Sequence, residues 1–158
     1  MNAEAYFSQY RVMRRRMGYH LRMSDRYREE AVRLPLTRWQ AEKIAVLPSG
    51  DAPFIHPLEK AHEMEELLEE DVRIVNRLRP QMEAVIAALP AEEMRLVLRL
   101  YYMEYKSYSE IGELLLMDKS TAKRWQQRAL AAAVLPEDPV EIGAEELFLK
   151  SATAATRA

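Results

Sequence analysis

The stretch from Leu58 to Leu89 constrains the fold most, because an apolar residue stands at every seventh position: Ala61, Leu68, Val75, Met82 and Leu89. Met64, Leu78 and Val85 fill the companion positions three residues on, and Asp71 is the one break in that register. A helix carrying such a seam must bury it against another helix, so the chain needs a second long one. Ala3 to about Leu34 supplies it. Tyr6, Tyr10, Met13, Met17, Tyr27, Ala31 and Leu34 recur there at steps of three and four, the stripe passing through His20 and Ser24 midway. The connection from Pro35 to Pro57 is long enough to return the second helix antiparallel to the first. Pro80 lies inside the second helix and removes a backbone donor, so a break near Arg79 is expected.

Charge favours the same pairing. Residues 1–43 carry ten Lys and Arg against five acids, while residues 44–90 carry four against nine. Arg14, Arg15 and Arg16 are adjacent and cannot share one face; they can pair with the acidic helix, or one can reach a phosphate outside it. Between the long helices, Pro35 stops the first, and Thr37 with Gln40 offers a capping-box start for a short helix over 38–47. The organisation read from this is a helical arm over 1–89, with helices over about 3–34, 38–47 and 58–89. A compact unit over 91–133 and an acidic, alanine-rich tail over 134–158 follow, with room for a short helix over 144–150.

Whole-chain composition narrows the class. With 49% hydrophobic and 30% charged residues the chain is expected to fold. It has no cysteine, so neither a disulfide framework nor a cysteine zinc site is available. No apolar run approaches the ~20 residues of a membrane helix, and the N-terminus has no signal-peptide apolar core. A soluble, cytoplasmic protein without membrane contact is therefore expected.

Two short helices follow Pro90 and the helix over 91–103, whose apolar residues Met94, Val97, Leu98, Tyr101 and Tyr102 are set to close a core beneath Ile111, Leu115 and Trp125. Ser107 and Glu110 have the spacing of a capping box, so one helix starts there, with Ile111, Leu114 and Leu115 apolar. Asp118 is the natural N-cap of the next, with Met117 placed to staple against Ala122. On this last helix Ala122, Trp125, Ala129 and Leu130 form the apolar side. Lys119 to Leu130 includes four cations and no carboxylate. A face that served solubility alone tends to mix signs at i and i+4, so phosphate is the counter-charge this one suggests. Two helices joined by so short a turn are also the arrangement that presents a helix end to the major groove.

The run YSEIGELLLMDKSTAKRWQQRAL resembles region four of bacterial sigma factors, whose helix-turn-helix reads the upstream promoter element. The preceding LRLYYMEYKSYSEI resembles the helix that leads into that motif. With the long N-terminal helices included, the chain is similar to the small phage regulators of late transcription of the ArpU and RinA type. The likeness spans about Ala3 to Leu135, and its specific part is Leu96 to Leu130. It implies an all-α fold, with an N-terminal antiparallel long-helix arm followed by a three-helix helix-turn-helix unit of sigma region-four type. It also implies a sequence-specific DNA-binding regulator of phage or prophage genes, acting in the bacterial host. The partner is then double-stranded DNA, with RNA polymerase either touched, as region four does, or recruited from a nearby operator; the helical arm also offers a surface for a second copy of the chain.

In the family's motif the start of the second helix reads base edges, and the matching positions are Lys119, Ser120, Lys123 and Arg124. Lysine and arginine can donate to guanine O6 and N7, and serine reads less selectively. Lys106, Ser107, Thr121, Gln127 and Arg128 are then placed to hold phosphates and fix the register. Leu116 departs from the pattern, standing where the family commonly has glycine. A left-handed backbone there costs a leucine roughly 1 kcal/mol or more, so either the turn differs or burial of Leu116 offsets the strain. Gly112 sits where a small residue lets the two helices approach. The aromatic segment with which full sigma factors melt promoters has no counterpart, so a complete sigma factor is not expected.

Other readings stay open. A small-terminase-like packaging protein also joins a helix-turn-helix to helical oligomerisation elements, and a protein-interaction module could use the acidic helix without touching DNA. His62 and Glu66 have the i, i+4 spacing of a metal pair, but on a carboxylate-rich helix rim a solvated pair is the expectation. His20 is expected to be packed. No pocket-forming carboxylate pair or histidine-activated serine is evident, so no enzyme, cofactor or metal is expected.

Overall fold

The computed structural model describes residues 1–33 and 55–143. Among them the chain is all-helical, with no strand: α1 (Ala3–Arg33), α2 (Ile55–Ala87), α3 (Glu92–Leu98), α4 (Tyr108–Leu115) and α5 (Lys119–Ala132). The short helices expected over 38–47 and 144–150 lie outside the described residues. No helix among those described is long and apolar enough to cross a membrane.

Local chemistry sets several ends. Asn2 Oδ1 accepts the Ala5 amide at 2.8 Å and so satisfies a free donor at the start of α1. Pro90 follows the end of α2, where the Leu89 amide turns back to Ile86 O at 3.1 Å. The break expected near Arg79 is absent, and α2 runs through Pro80 as one helix. Pro80 and Asn76 are both exposed, so the Asn76 carbonyl that loses its partner faces water, while Leu78 and Met82 on the opposite side are fully buried. The helix expected to continue to Met103 changes character at Arg99. Arg99–Met103 is a π-helical turn, with Glu104 N bonded to Arg99 O at 3.1 Å.

The chain packs as two compact units: Arg15–Arg73, and Met1–Arg14 together with the chain from Ile74 onward. The boundary expected at Pro90 does not coincide with this division, since the first turns of α1 and the last turns of α2 group with α3 to α5. In the Arg15–Arg73 unit, Met23, Tyr27, Ala61 and Met64 form a buried cluster against which Tyr19 and Leu67 pack. Its polar contacts run Arg28 to Glu65, Ser24 to Glu65 and His20 to Asp71, so the helices there are antiparallel. The Arg28 guanidinium holds the Glu65 carboxyl below its usual range. Of the arginine triplet, Arg16 turns inward onto Asp71 at 2.7 Å, while Arg14 and Arg15 are exposed.

In the other unit, Tyr6, Phe7, Tyr10 and Met13 of α1 are buried, as are Val75, Leu78, Met82, Val85, Ile86 and Leu89 toward the end of α2. Phe7 stacks on Tyr102 with ring centres 5.4 Å apart, tying the start of α1 to the turn after α3. All the heptad and companion positions expected to form a seam are buried except Leu68, which is half-buried.

Candidate nucleic-acid interface

The capping box at Ser107 is present in both directions. Ser107 Oγ accepts the Glu110 amide at 3.2 Å, and Glu110 Oε1 accepts the Ser107 amide at 3.4 Å. α4 therefore starts at Tyr108 and presents buried Ile111 and Gly112 inward. Val97, Ile111 and Ala122 form the core joining α3, α4 and α5, with Tyr101, Tyr108, Leu115, Met117 and Trp125 packed against it. That agrees with the core expected beneath Ile111, Leu115 and Trp125, and Met117 reaches Ala122's cluster as a staple would.

The turn between α4 and α5 is Leu116 to Asp118. Leu116 adopts the left-handed conformation (φ 55°, ψ 48°), so the turn geometry is the one glycine favours. Burial does not offset it, because Leu116 is 93% exposed. The strain is instead carried by its neighbours, Met117 N donating to Gly112 O at 2.9 Å and the packed α4–α5 pair fixing the path. Leu116→Gly removes a strained residue that buries nothing. It is expected to stabilise the chain by about 0.5–1 kcal/mol, read as a raised urea midpoint at unchanged slope. Asp118 stands at the N-cap position, but its side chain makes no cap bond, contrary to the capping role expected of it.

α5 carries the expected cations outward. Lys119, Ser120, Lys123, Arg124, Gln127 and Arg128 are all exposed, and Thr121 is half-buried. Among the described residues none of the four α5 cations has a carboxylate within ion-pair distance: Arg124 Nη2 donates to Thr121 Oγ1 at 3.4 Å, and Arg128 lies over the Trp125 ring at 5.4 Å. Of the flanking pair, Ser107 Oγ accepts in the cap, which leaves its O–H to donate, and Lys106 Nζ lies 3.9 Å from Glu110. The four positions matched to base reading thus share one exposed helix end, with Arg128 and Gln127 following on the same helix.

One residue of this region escaped the sequence reading. Gln126 is 6% exposed, donates to Tyr102 Oη at 3.0 Å and accepts from Tyr108 Oη at 3.1 Å. It anchors α5 to the chain beneath it through a buried amide bonded at both its nitrogen and its oxygen. Burial pushes the Tyr102 phenol up to about 12, and burial with the adjacent Tyr101 raises Tyr108 further. Tyr101 and Tyr108 stack at 4.9 Å, so the floor of the motif is an aromatic cluster. His62 Nε2 lies 3.2 Å from Glu66 Oε1 on an exposed face, and among the described residues no three His, Asp or Glu side chains stand together in a metal-binding group. No protein-family model, no curated protein and no solved structure matches the chain.

Proposed function

We propose that the protein is a sequence-specific DNA-binding regulator of transcription, of the phage or prophage type its sequence resembles, with α5 entering the major groove. The observation that supports this most is the exposed face of α5, where four cations stand without a carboxylate partner among the described residues. Lysine and arginine held this way gain affinity by releasing counterions from phosphates. Lys119, Ser120, Lys123 and Arg124, at the leading end, are assigned to base edges. Gln127 and Arg128, with Thr121, Ser107 and Lys106, are assigned to the backbone that fixes register. On this reading the regulator either touches RNA polymerase or recruits it from a nearby operator.

Arg124→Ala and Arg128→Ala separate these roles. Arg124→Ala is expected to cost about 1–3 kcal/mol of discrimination between a selected site and a scrambled one. Arg128→Ala weakens both sites alike and lowers the salt slope of log K by about 1. Titrations of genome-selected fragments at several salt concentrations read both quantities. Equal losses on every sequence for both variants overturn the division, and absent or salt-independent binding by the parent chain points to the protein-interaction reading.

A further inference from the structure

Residues 138–142 are bound by side-chain amides of α1 and α2. Gln81 Nε2 donates to Asp138 O at 2.9 Å, and Gln81 Oε1 accepts the Val140 amide at 2.8 Å. Gln9 Nε2 donates to Val140 O at 3.0 Å, and Gln9 Oε1 accepts the Ile142 amide at 2.7 Å. The bonded groups lie on alternate residues, all facing the same side, which is how a strand meets a neighbouring strand. Two glutamines take that neighbour's place, each closing a pair of bonds to the peptide backbone.

The clamp is held ready by its own surroundings. Tyr6 Oη donates to Gln81 Oε1 at 2.8 Å, and the other Gln9 Nε2 hydrogen reaches Tyr6 O at 3.1 Å. With the segment in place Gln9 is 5% exposed; without it Gln9 Oε1 loses the Ile142 amide and Gln81 Nε2 loses Asp138 O, while Gln9 Nε2 keeps Tyr6 O. The one buried side chain of the segment is Ile142, 7% exposed; Pro139 and Val140 are half-buried, and Asp138 and Glu141 are exposed. Recognition therefore reads a backbone and one branched aliphatic group, which is the division of labour in strand-addition peptide sites.

We infer that the start of α1 and the end of α2 form a peptide-recognition site whose resident ligand is this chain's own segment 138–142. Its ligand class is a short strand-like peptide with a branched aliphatic residue two positions beyond the residue held at both its N–H and its C=O. The resident segment follows α5 after a few residues, which gives it an effective concentration on the order of millimolar and keeps the site filled. A free peptide of the same kind competes for it.

The test uses the full chain with Ile142→Asp, which weakens the resident segment, and a fluorescent peptide of sequence PEDPVEIG. Saturable binding to this variant is expected, with binding to the unaltered chain weaker by tenfold or more because its own segment is in place. Adding Gln9→Leu or Gln81→Leu to the Ile142→Asp chain lowers peptide affinity by about tenfold for each, the loss of two net hydrogen bonds. Absence of binding at millimolar peptide to a folded Ile142→Asp chain, or binding indifferent to both glutamines, overturns the inference. Should Ile142→Asp unfold the chain, amide exchange of the unaltered protein decides: excess peptide is expected to speed exchange at Val140 and Ile142, and unchanged rates overturn it.

Discussion

Gly112→Ala is expected to destabilise the packed α4–α5 pair by about 2 kcal/mol and, on the DNA-binding function proposed above, to reduce DNA affinity beyond that loss. A Cβ built on Gly112 lies 2.5 Å from the Met117 carbonyl oxygen and 3.5 Å from Asp118 C and Lys119 N. All three atoms are backbone, so no side chain can swing aside, and α4 must part from the start of α5. Overpacking of this kind costs typically about 1–3 kcal/mol, and alanine's helix preference over glycine returns less than about 1. The clash falls on the turn that sets where Lys119 and Lys123 point, so on the proposed function affinity for a selected DNA site falls even under conditions that keep the variant folded. Gly143→Ala is the control, since among the described residues no atom beyond its chain neighbours lies within 4 Å of a Cβ there. Urea unfolding with DNA titration reads both effects. A Gly112→Ala chain within about 0.5 kcal/mol of the parent and binding normally contradicts the close approach.

The parts that could be read in sequence were those governed by local periodicity. The seventh-residue seam, the capping box at Ser107 and the small residue at position 112 each rest on neighbours a few positions away, and each occupies its expected place. What could not be read depends on partners distant in the chain. Gln126 lies at core spacing between Ala122 and Ala129, yet as a polar residue it is buried only because Tyr102 and Tyr108 supply both its bonds. Gln9 and Gln81 give no local sign at all of the segment they bind. Asp71 and His20 are an intermediate case. Each interrupts its own apolar stripe, and the two interruptions coincide once the helices are set antiparallel, so the signal was present but divided between two helices. Pro80 shows the opposite error, where a strong local rule yields to burial on either side.

Asp71→Ala is expected to be the most damaging substitution in the Arg15–Arg73 unit, at about 3–5 kcal/mol. Asp71 is fully buried, and its carboxylate meets Arg16 Nε at 2.7 Å and His20 Nδ1 at 2.5 Å. His20 is also fully buried and Arg16 is 4% exposed, so removing the carboxylate takes its charge away from two groups set in the core. The cost is the desolvation of Arg16 and His20 that the carboxylate no longer offsets, not the value of the bonds seen. That distinction sets the second half of the prediction. Replacing the three together, Arg16→Met, His20→Leu and Asp71→Leu, removes every charge at once and is expected to leave stability unchanged or raise it by about 1–4 kcal/mol. Urea unfolding of the single and triple variants measures both, with Asp71→Asn as an uncharged near-isostere between them. If the triple variant is as unstable as Asp71→Ala, the layer stabilises the helix pair through its charges, and the account based on stranded partners is wrong. If the triple variant is stable, the polar layer's role lies in choosing register. A carboxylate at a single companion position is satisfied only where Arg16 and His20 oppose it, whereas an apolar seam of repeating sevens fits more than one alignment.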